Sequence, residues 1–149
     1  ARHVRLPLDD DLAADLAACL GRIRVGAKEV ATRAPDRVVR ERDRLKGAVA
    51  TLLDGRPIDE TRLLQEIAFL AEKLDITEEL VRLEAHLVAA EVSLRAARPV
   101  GKHLGFLVQE IGREVNTIGS KANDAAIQHT VIEMKGELER FREQLENLE

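Results

Sequence analysis

Four prolines, at positions 7, 35, 57 and 99, punctuate a chain whose apolar side chains otherwise recur every three or four residues. Proline removes a helical hydrogen-bond donor and disfavours helix in the residue before it. The blocks between these prolines are the right length for helices, and no segment alternates apolar and polar with a period of two. Only three aromatic residues occur among 149, namely Phe69, Phe106 and Phe141. That composition argues against a β-sandwich or barrel and against a platform of stacked rings for nucleobases. The pattern predicts an all-α fold of long amphipathic helices packed as helical hairpins, completed by contacts within an oligomer.

The helices can be placed from their stripes and caps. Pro7 and the acids Asp9, Asp10 and Asp11 mark a helix start, followed by Leu12, Leu16, Cys19 or Leu20, Ile23, Ala27 and Val30. Pro35 is expected to break that helix, with Asp36 capping a second one that carries Val38, Val39, Leu45, Val49 and Leu52. Asp54-Gly55-Arg56-Pro57 reads as a turn. Asp59 then caps a long helix ended by Arg98-Pro99-Val100-Gly101, with Thr77 able to cap a fresh start near a kink at 75. Residues 102–115 read as a shorter helix and Asn116-Thr117-Ile118-Gly119-Ser120 as a loop. Asp124 or Asn123 opens a last helix with Ile127, Val131, Met134, Leu138, Phe141 and Leu145 in heptad-like spacing. This divides the chain into a helical pair, 1–57, and a larger helical domain, 58–149.

Net charge is -4, unevenly spread. Residues 1–46 carry 11 basic and 8 acidic side chains, and the remainder 12 basic and 19 acidic. Arg22, Arg24, Arg33, Arg37, Arg40, Arg42 and Arg44 form the best basic surface, for RNA or to balance acids elsewhere. The lone Cys19 excludes an intrachain disulfide and a cysteine-based zinc cluster, and reads as a small buried hydrophobe. No apolar run is long enough to span a membrane, and nothing reads as a signal peptide, so the expected location is cytoplasmic. The start Ala1-Arg2-His3, without an initiator Met, reads as a piece of a longer protein.

Three clusters carry chemistry. Asp75, Glu79 and His86 share one face if their helix is unbroken, with Glu78 and Glu84 nearby; such donors can hold Mn²⁺ or Mg²⁺. The plainer alternative is a solvated acidic face. Glu110 and Glu114, one turn apart, repel unless a cation lies between them, and Arg113 can answer a carboxylate or a phosphate. They serve metal binding and general-base work, or a structural ion-pair network. Residues 116–124, with Lys121 and Asn123, offer donors to a phosphate ahead of a helix, though without P-loop spacing; capping and turn formation explain most of that stretch.

These residues lie in stretches that resemble the C-terminal part of the YicC family of bacterial proteins. The likeness is carried by Asp59-Glu60-Thr61-Arg62-Leu63, by Leu74 to His86, by Gly101 to Lys121, by Glu133-Met134-Lys135 and by Arg142 to Glu149. The resemblance implies a metal-dependent endoribonuclease using Mn²⁺, with Mg²⁺ the alternative. It implies a protein about twice this length that assembles as a ring-like or clamshell hexamer closing on RNA and acts in turnover of small RNAs. No DNA or membrane partner is expected. On that footing Glu110, Glu114 and His86 are the catalytic candidates, and Asp75, Glu79, Glu110 and Glu114 the metal ligands. Lys102, Arg113, Lys121, Asn123 and Arg142 are the RNA-binding candidates. A non-catalytic RNA-binding or oligomerisation scaffold is the competing reading. Gly105 and Gly112 depart from the Asp and Asn usual in the family, and each costs about 1 kcal/mol of helix propensity relative to alanine.

Overall fold

The computed structural model describes residues 10–96 and 101–147, and all five elements are helices. They are α1 (Asp10–Leu53), α2 (Glu60–Leu74), α3 (Thr77–Arg95), α4 (Gly101–Lys121) and α5 (Ala125–Glu146). The expected helix ends at Pro7 and Pro99 lie outside the described residues. The first part of α1 packs between α3 and α5, and α4 packs between the same two helices on the other side, which closes a four-helix bundle. Cross-links fix its directions. Along α1, Arg22, Glu29 and Arg40 meet Glu137, Thr130 and Asp124 in turn, so α1 and α5 run antiparallel.

The core follows the stripes. Leu16, Cys19, Leu20, Ile23 and Val30 of α1 are buried against Leu83, Leu87 and Ala90 of α3, Ile111, Val115 and Ile118 of α4, and the whole 127–145 series of α5. Gly26 permits the close crossing of α1 over α5. A Cβ there would stand 2.6 Å from Cγ of Met134, so this position admits no larger side chain unless Met134 moves.

Pro35 does not end a helix. α1 runs through it for 44 residues, about 66 Å of helix. The missing N–H leaves the Ala31 carbonyl without its usual donor, and both residues lie on the exposed side where water serves it. Asp36 is therefore an interior helical residue rather than a cap. What holds the helix on course is Arg37, only 2% exposed. Its Nη1 donates to the Lys121 and Ala122 carbonyls at 2.7 and 3.0 Å, and its Nη2 to the Leu74 carbonyl at 2.7 Å. These acceptors are the final carbonyls of α4 and α2, which have no partner inside their own helices. A cation is also favoured there by the helix dipoles. Burial pushes the guanidinium below its ordinary value, while Asp124 and Asp75 oppose that shift.

Beyond Arg37, α1 buries no further residue fully, and α2 buries only Leu63 and Leu74. The two form a hairpin standing off the bundle, turned by Asp54 and Gly55 with φ of 47° and 85°. Asp59 caps α2 as expected, accepting from the Arg62 N–H at 3.2 Å.

Two further boundaries differ from expectation. The long helix breaks completely at Asp75-Ile76, because Ile76 turns into the core at 2% exposure. Ile76, not Thr77, takes the N-cap position, and the Asp75 carboxylate just before it accepts from the Thr77 N–H at 2.9 Å and from its hydroxyl at 2.6 Å. The expected loop at 116–120 is helical. Ile118 and Gly119 are buried there, and Gln128 of α5 donates to the Gly119 carbonyl at 2.7 Å. Tertiary packing outweighs the weak helix propensity of Asn, Thr, Gly and Ser. The chain leaves α4 at Asn123, in the left-handed region at φ 46°, and Asp124 caps α5 by accepting from the Ala126 and Ile127 N–H groups.

Replacing Arg37 with methionine strands three buried carbonyls at two helix ends. The expected loss is about 3 kcal/mol, seen as a melting midpoint roughly 10 °C lower by circular dichroism. Arg37→Lys should recover only part of it, because one ammonium cannot span both helix ends.

Candidate functional site

The acidic clusters converge on one place, where the start of α3 meets the second half of α4. Glu79 of α3 and Glu114 of α4 are each 5% exposed. Two cations lie with them. Lys121 Nζ donates to Glu79 Oε1 at 2.8 Å and to the Asp75 carbonyl at 3.2 Å. Arg82 Nε donates to Glu114 Oε1 at 2.9 Å, and the same guanidinium reaches Glu78 at 3.3 Å and Glu79 at 3.8 Å. Glu114 is therefore answered by Arg82 from the neighbouring helix, while Arg113 turns to Glu110 at 3.5 Å.

Glu79 shows the balance of forces most directly. Burial alone would push its carboxyl up, but the Lys121 hydrogen bond and the charges of Lys121 and Arg82 hold it below its ordinary value. Its second oxygen, Oε2, is buried and accepts no hydrogen bond from the described residues. Asp75 is likewise held low, by the Thr77 hydroxyl and backbone N–H. Glu114 and Glu78 raise the Arg82 guanidinium.

The remaining candidates are distributed more widely. The break at 75–76 separates Asp75 from the helix carrying Glu79 and His86, so the three do not share one continuous helical face. His86 is half-buried two turns further along α3. Among the described residues, no three His, Cys, Asp or Glu side chains are grouped as a metal ion would require. The arrangement explains why: Glu79 and Glu114 face cations instead of one another across a gap. With 116–120 helical, the irregular stretch ahead of α5 shortens to residues 122–124. Lys121 is held by Glu79, and Asn123 forms the exposed turn into α5 and hydrogen-bonds Glu41, contributing to that carboxyl's lowered value after the larger effect of Arg44.

Lys102 and Arg142, forty positions apart, come together. They line a groove of about 360 Å³ between the start of α4 and the end of α5, with Phe106 and Gln109. The arginines of α1 are largely committed within the fold: Arg22 to Glu137, Arg24 to Glu84 and Glu91, Arg40 to Asp124, Arg42 to Asp43 and Arg44 to Glu41. Three of them, Arg22, Arg24 and Arg40, balance acids elsewhere in the chain, and Arg42 and Arg44 pair with acids of their own stretch. Arg37, expected on the basic surface, is instead buried at 2% exposure, and Arg82 is the residue that sequence reasoning missed. For Arg37 a signal existed, since it falls seven positions after the buried Val30 on the same stripe.

No described helix is long and apolar enough to cross a membrane. Residues 30–149 match the family described as "Endoribonuclease YicC-like, C-terminal". A Clostridioides difficile protein named "Probable endoribonuclease YicC" is 38% identical over 99% of this chain and 51% of its own length. A Haemophilus influenzae protein of the same name is 31% identical over 94% of this chain and 53% of its own length. The chain thus spans about half the length of the curated relatives it matches.

The Glu79–Lys121 pair predicts a pH signature. A carboxyl held low in the fold contributes stability that is complete above its ordinary value of 4.5 and is lost as pH falls through the lower folded value. Lys121→Met should cost about 2 kcal/mol at pH 7 in urea unfolding, less than for a fully buried pair because Lys121 is partly exposed. That difference should close as the pH drops well below 4.5. A gap unchanged between pH 7 and pH 3 would exclude the pair as its source.

Proposed function

This chain belongs to the YicC-like endoribonuclease family, and on that premise we propose that it forms the C-terminal helical part of a metal-dependent enzyme that hydrolyses RNA phosphodiesters. The match over residues 30–149 carries this reading. Mn²⁺, or Mg²⁺, is the proposed cofactor of the intact protein. The described residues do not by themselves make its site, because Glu79 and Glu114 are neutralised by Lys121 and Arg82. A metal site that uses Asp75, Glu79, Glu110 or Glu114 would need these ion pairs to open or further groups to join them. When bound, the ion would supply charge neutralisation at phosphorus and an activated water.

This chain's own residues have other work in that proposal. Arg113, Lys102 and Arg142 are exposed cations for RNA phosphates, with Asn123 as a neutral donor beside them in the series. Glu110, less buried than Glu114 and only loosely paired with Arg113 at 3.5 Å, is the better carboxylate for proton transfer. His86, half-buried on α3, is the second candidate for that step. The ion network of Glu79, Arg82, Glu114 and Lys121 holds α3 against α4 and so fixes the face that presents these groups. The intact protein is proposed to act in the cytoplasm as a homo-oligomer, a hexamer, on RNA that includes small regulatory RNA. Leu52, Leu64 and Phe69, each more than 60% exposed on the α1–α2 hairpin, support contact with further subunits.

The scaffold reading has its own support in the same network, since carboxylates locked by cations hold helices together without chemistry. The two readings separate on a hairpin RNA incubated with the natural protein that carries this chain, with Mn²⁺, Mg²⁺ or chelator. Cleavage that requires the metal and falls roughly a hundredfold in Glu110→Gln supports the enzyme and this carboxylate's role. Binding without cleavage in any metal supports the scaffold.

A further inference from the structure

We propose that the groove between the start of α4 and the end of α5 binds one nucleotide of single-stranded RNA, its base on the Phe106 ring and its phosphate between Lys102 and Arg142. The inference rests on the RNA reading above and adds a site, a strand type and an aromatic contact to it.

The groove holds about 360 Å³, at the small end of ligand-sized clefts, which suits one nucleotide better than a duplex. Phe106 is 56% exposed and is the one aromatic ring lining this groove. Of the other two rings, Phe141 is wholly buried in the core, and Phe69 is exposed on the hairpin, away from this groove. Single-stranded RNA is recognised where unstacked bases lie on exposed rings, and one ring can hold one base without a platform. The Lys102 side chain makes no hydrogen bond or ion pair with another described residue. Arg142 is paired only one turn away, to Glu139 at 3.2 Å, with both side chains well exposed. Such pairs are weak, so the guanidinium can turn to a phosphate.

Gly105 keeps the groove open. A Cβ there would meet nothing within 4 Å, so the glycine is not required by packing, and any side chain placed there would stand in the groove. Gln109 supplies an amide for a base edge. Glu146 at the rim is the one opposing charge among the groove's described lining residues. The groove and the ion network occupy successive stretches of α4: Gln109 of the groove and Glu114 of the network are five positions apart, about 8 Å along the helix axis.

The test measures fluorescence anisotropy of a labelled twelve-nucleotide single-stranded RNA with this chain at low salt. A 2-aminopurine base in the RNA reports stacking. Phe106→Leu should weaken binding about tenfold and abolish the 2-aminopurine quench. Lys102→Gln and Arg142→Gln should each weaken it several-fold and lower the slope of log affinity against log salt by about 1. Gly105→Asp should weaken binding, and Glu146→Gln should strengthen it. Lys135→Gln, exposed on α5 outside the groove, is the control. Each variant is checked for wild-type helical circular dichroism and melting. If the wild type binds this RNA and the groove variants bind equally well, the groove proposal is overturned while the RNA reading stands. If the wild type binds neither this strand nor a hairpin, both fall.

Discussion

One guanidinium joins the ends of two helices to the middle of a third. Without Arg37, the terminal carbonyls of α2 and α4 would face each other inside the protein with no donor, since helix C-termini cannot satisfy themselves. With it, α1 can pass over both ends at a fixed height. The position of that contact sets the rest. It fixes where α2 stops, hence where Asp75 and Ile76 turn, hence where α3 begins with Glu78 and Glu79. It also holds the end of α4, from which Lys121 reaches back to Glu79. The ion network and the anchor are thus two layers of one junction.

The network illustrates how buried charge is tolerated. Two carboxylates leave water almost completely, and each brings a partial counter-ion from another turn or helix. Arg82 and Lys121 keep part of their length in solvent, with side-chain exposures of 48% and 34%, so the desolvation cost falls mainly on the acids. A pair built this way contributes more to register than to net stability. Sliding α3 along α4 by one turn would separate Arg82 from Glu114 and Lys121 from Glu79 together.

Much of the architecture was legible in the chain. The α5 stripe from Ile127 to Leu145 is buried throughout, Asp59 and Asp124 cap the helices they precede, and Cys19 is a core residue. Local signals failed where a distant partner decided the outcome. Pro35 looks like a stop until Arg37 is seen pinned to residues 37 and 84 or 85 positions away. The Asn-Thr-Ile-Gly-Ser segment looks like a loop until α5 covers Gly119. The candidate site was half legible. Residue types and the two acidic stretches were apparent, but no spacing rule places Arg82 between Glu78 and Glu114, because the latter comes from another helix. The meeting of Lys102 with Arg142 depends in the same way on the antiparallel return of α5.

Pro35 leaves α1 continuous in shape but divided in energy. On one side, Leu16 to Val30 sit in the core; on the other, past the polar anchors Arg37 and Arg40, the helix is backed by α2 and by exposed ion pairs such as Arg44 with Glu41. The missing hydrogen bond lies at the border between these halves. Opening of the hairpin can therefore stop at the proline instead of unzipping the bundle. Amide exchange in the outer half of α1 is set by that local opening and not by global unfolding. The hairpin is a separate cooperative unit joined to the bundle through a short polar seam, Arg37 with the helix-end carbonyls and Arg40 with Asp124, free to respond to a partner without costing the core its order.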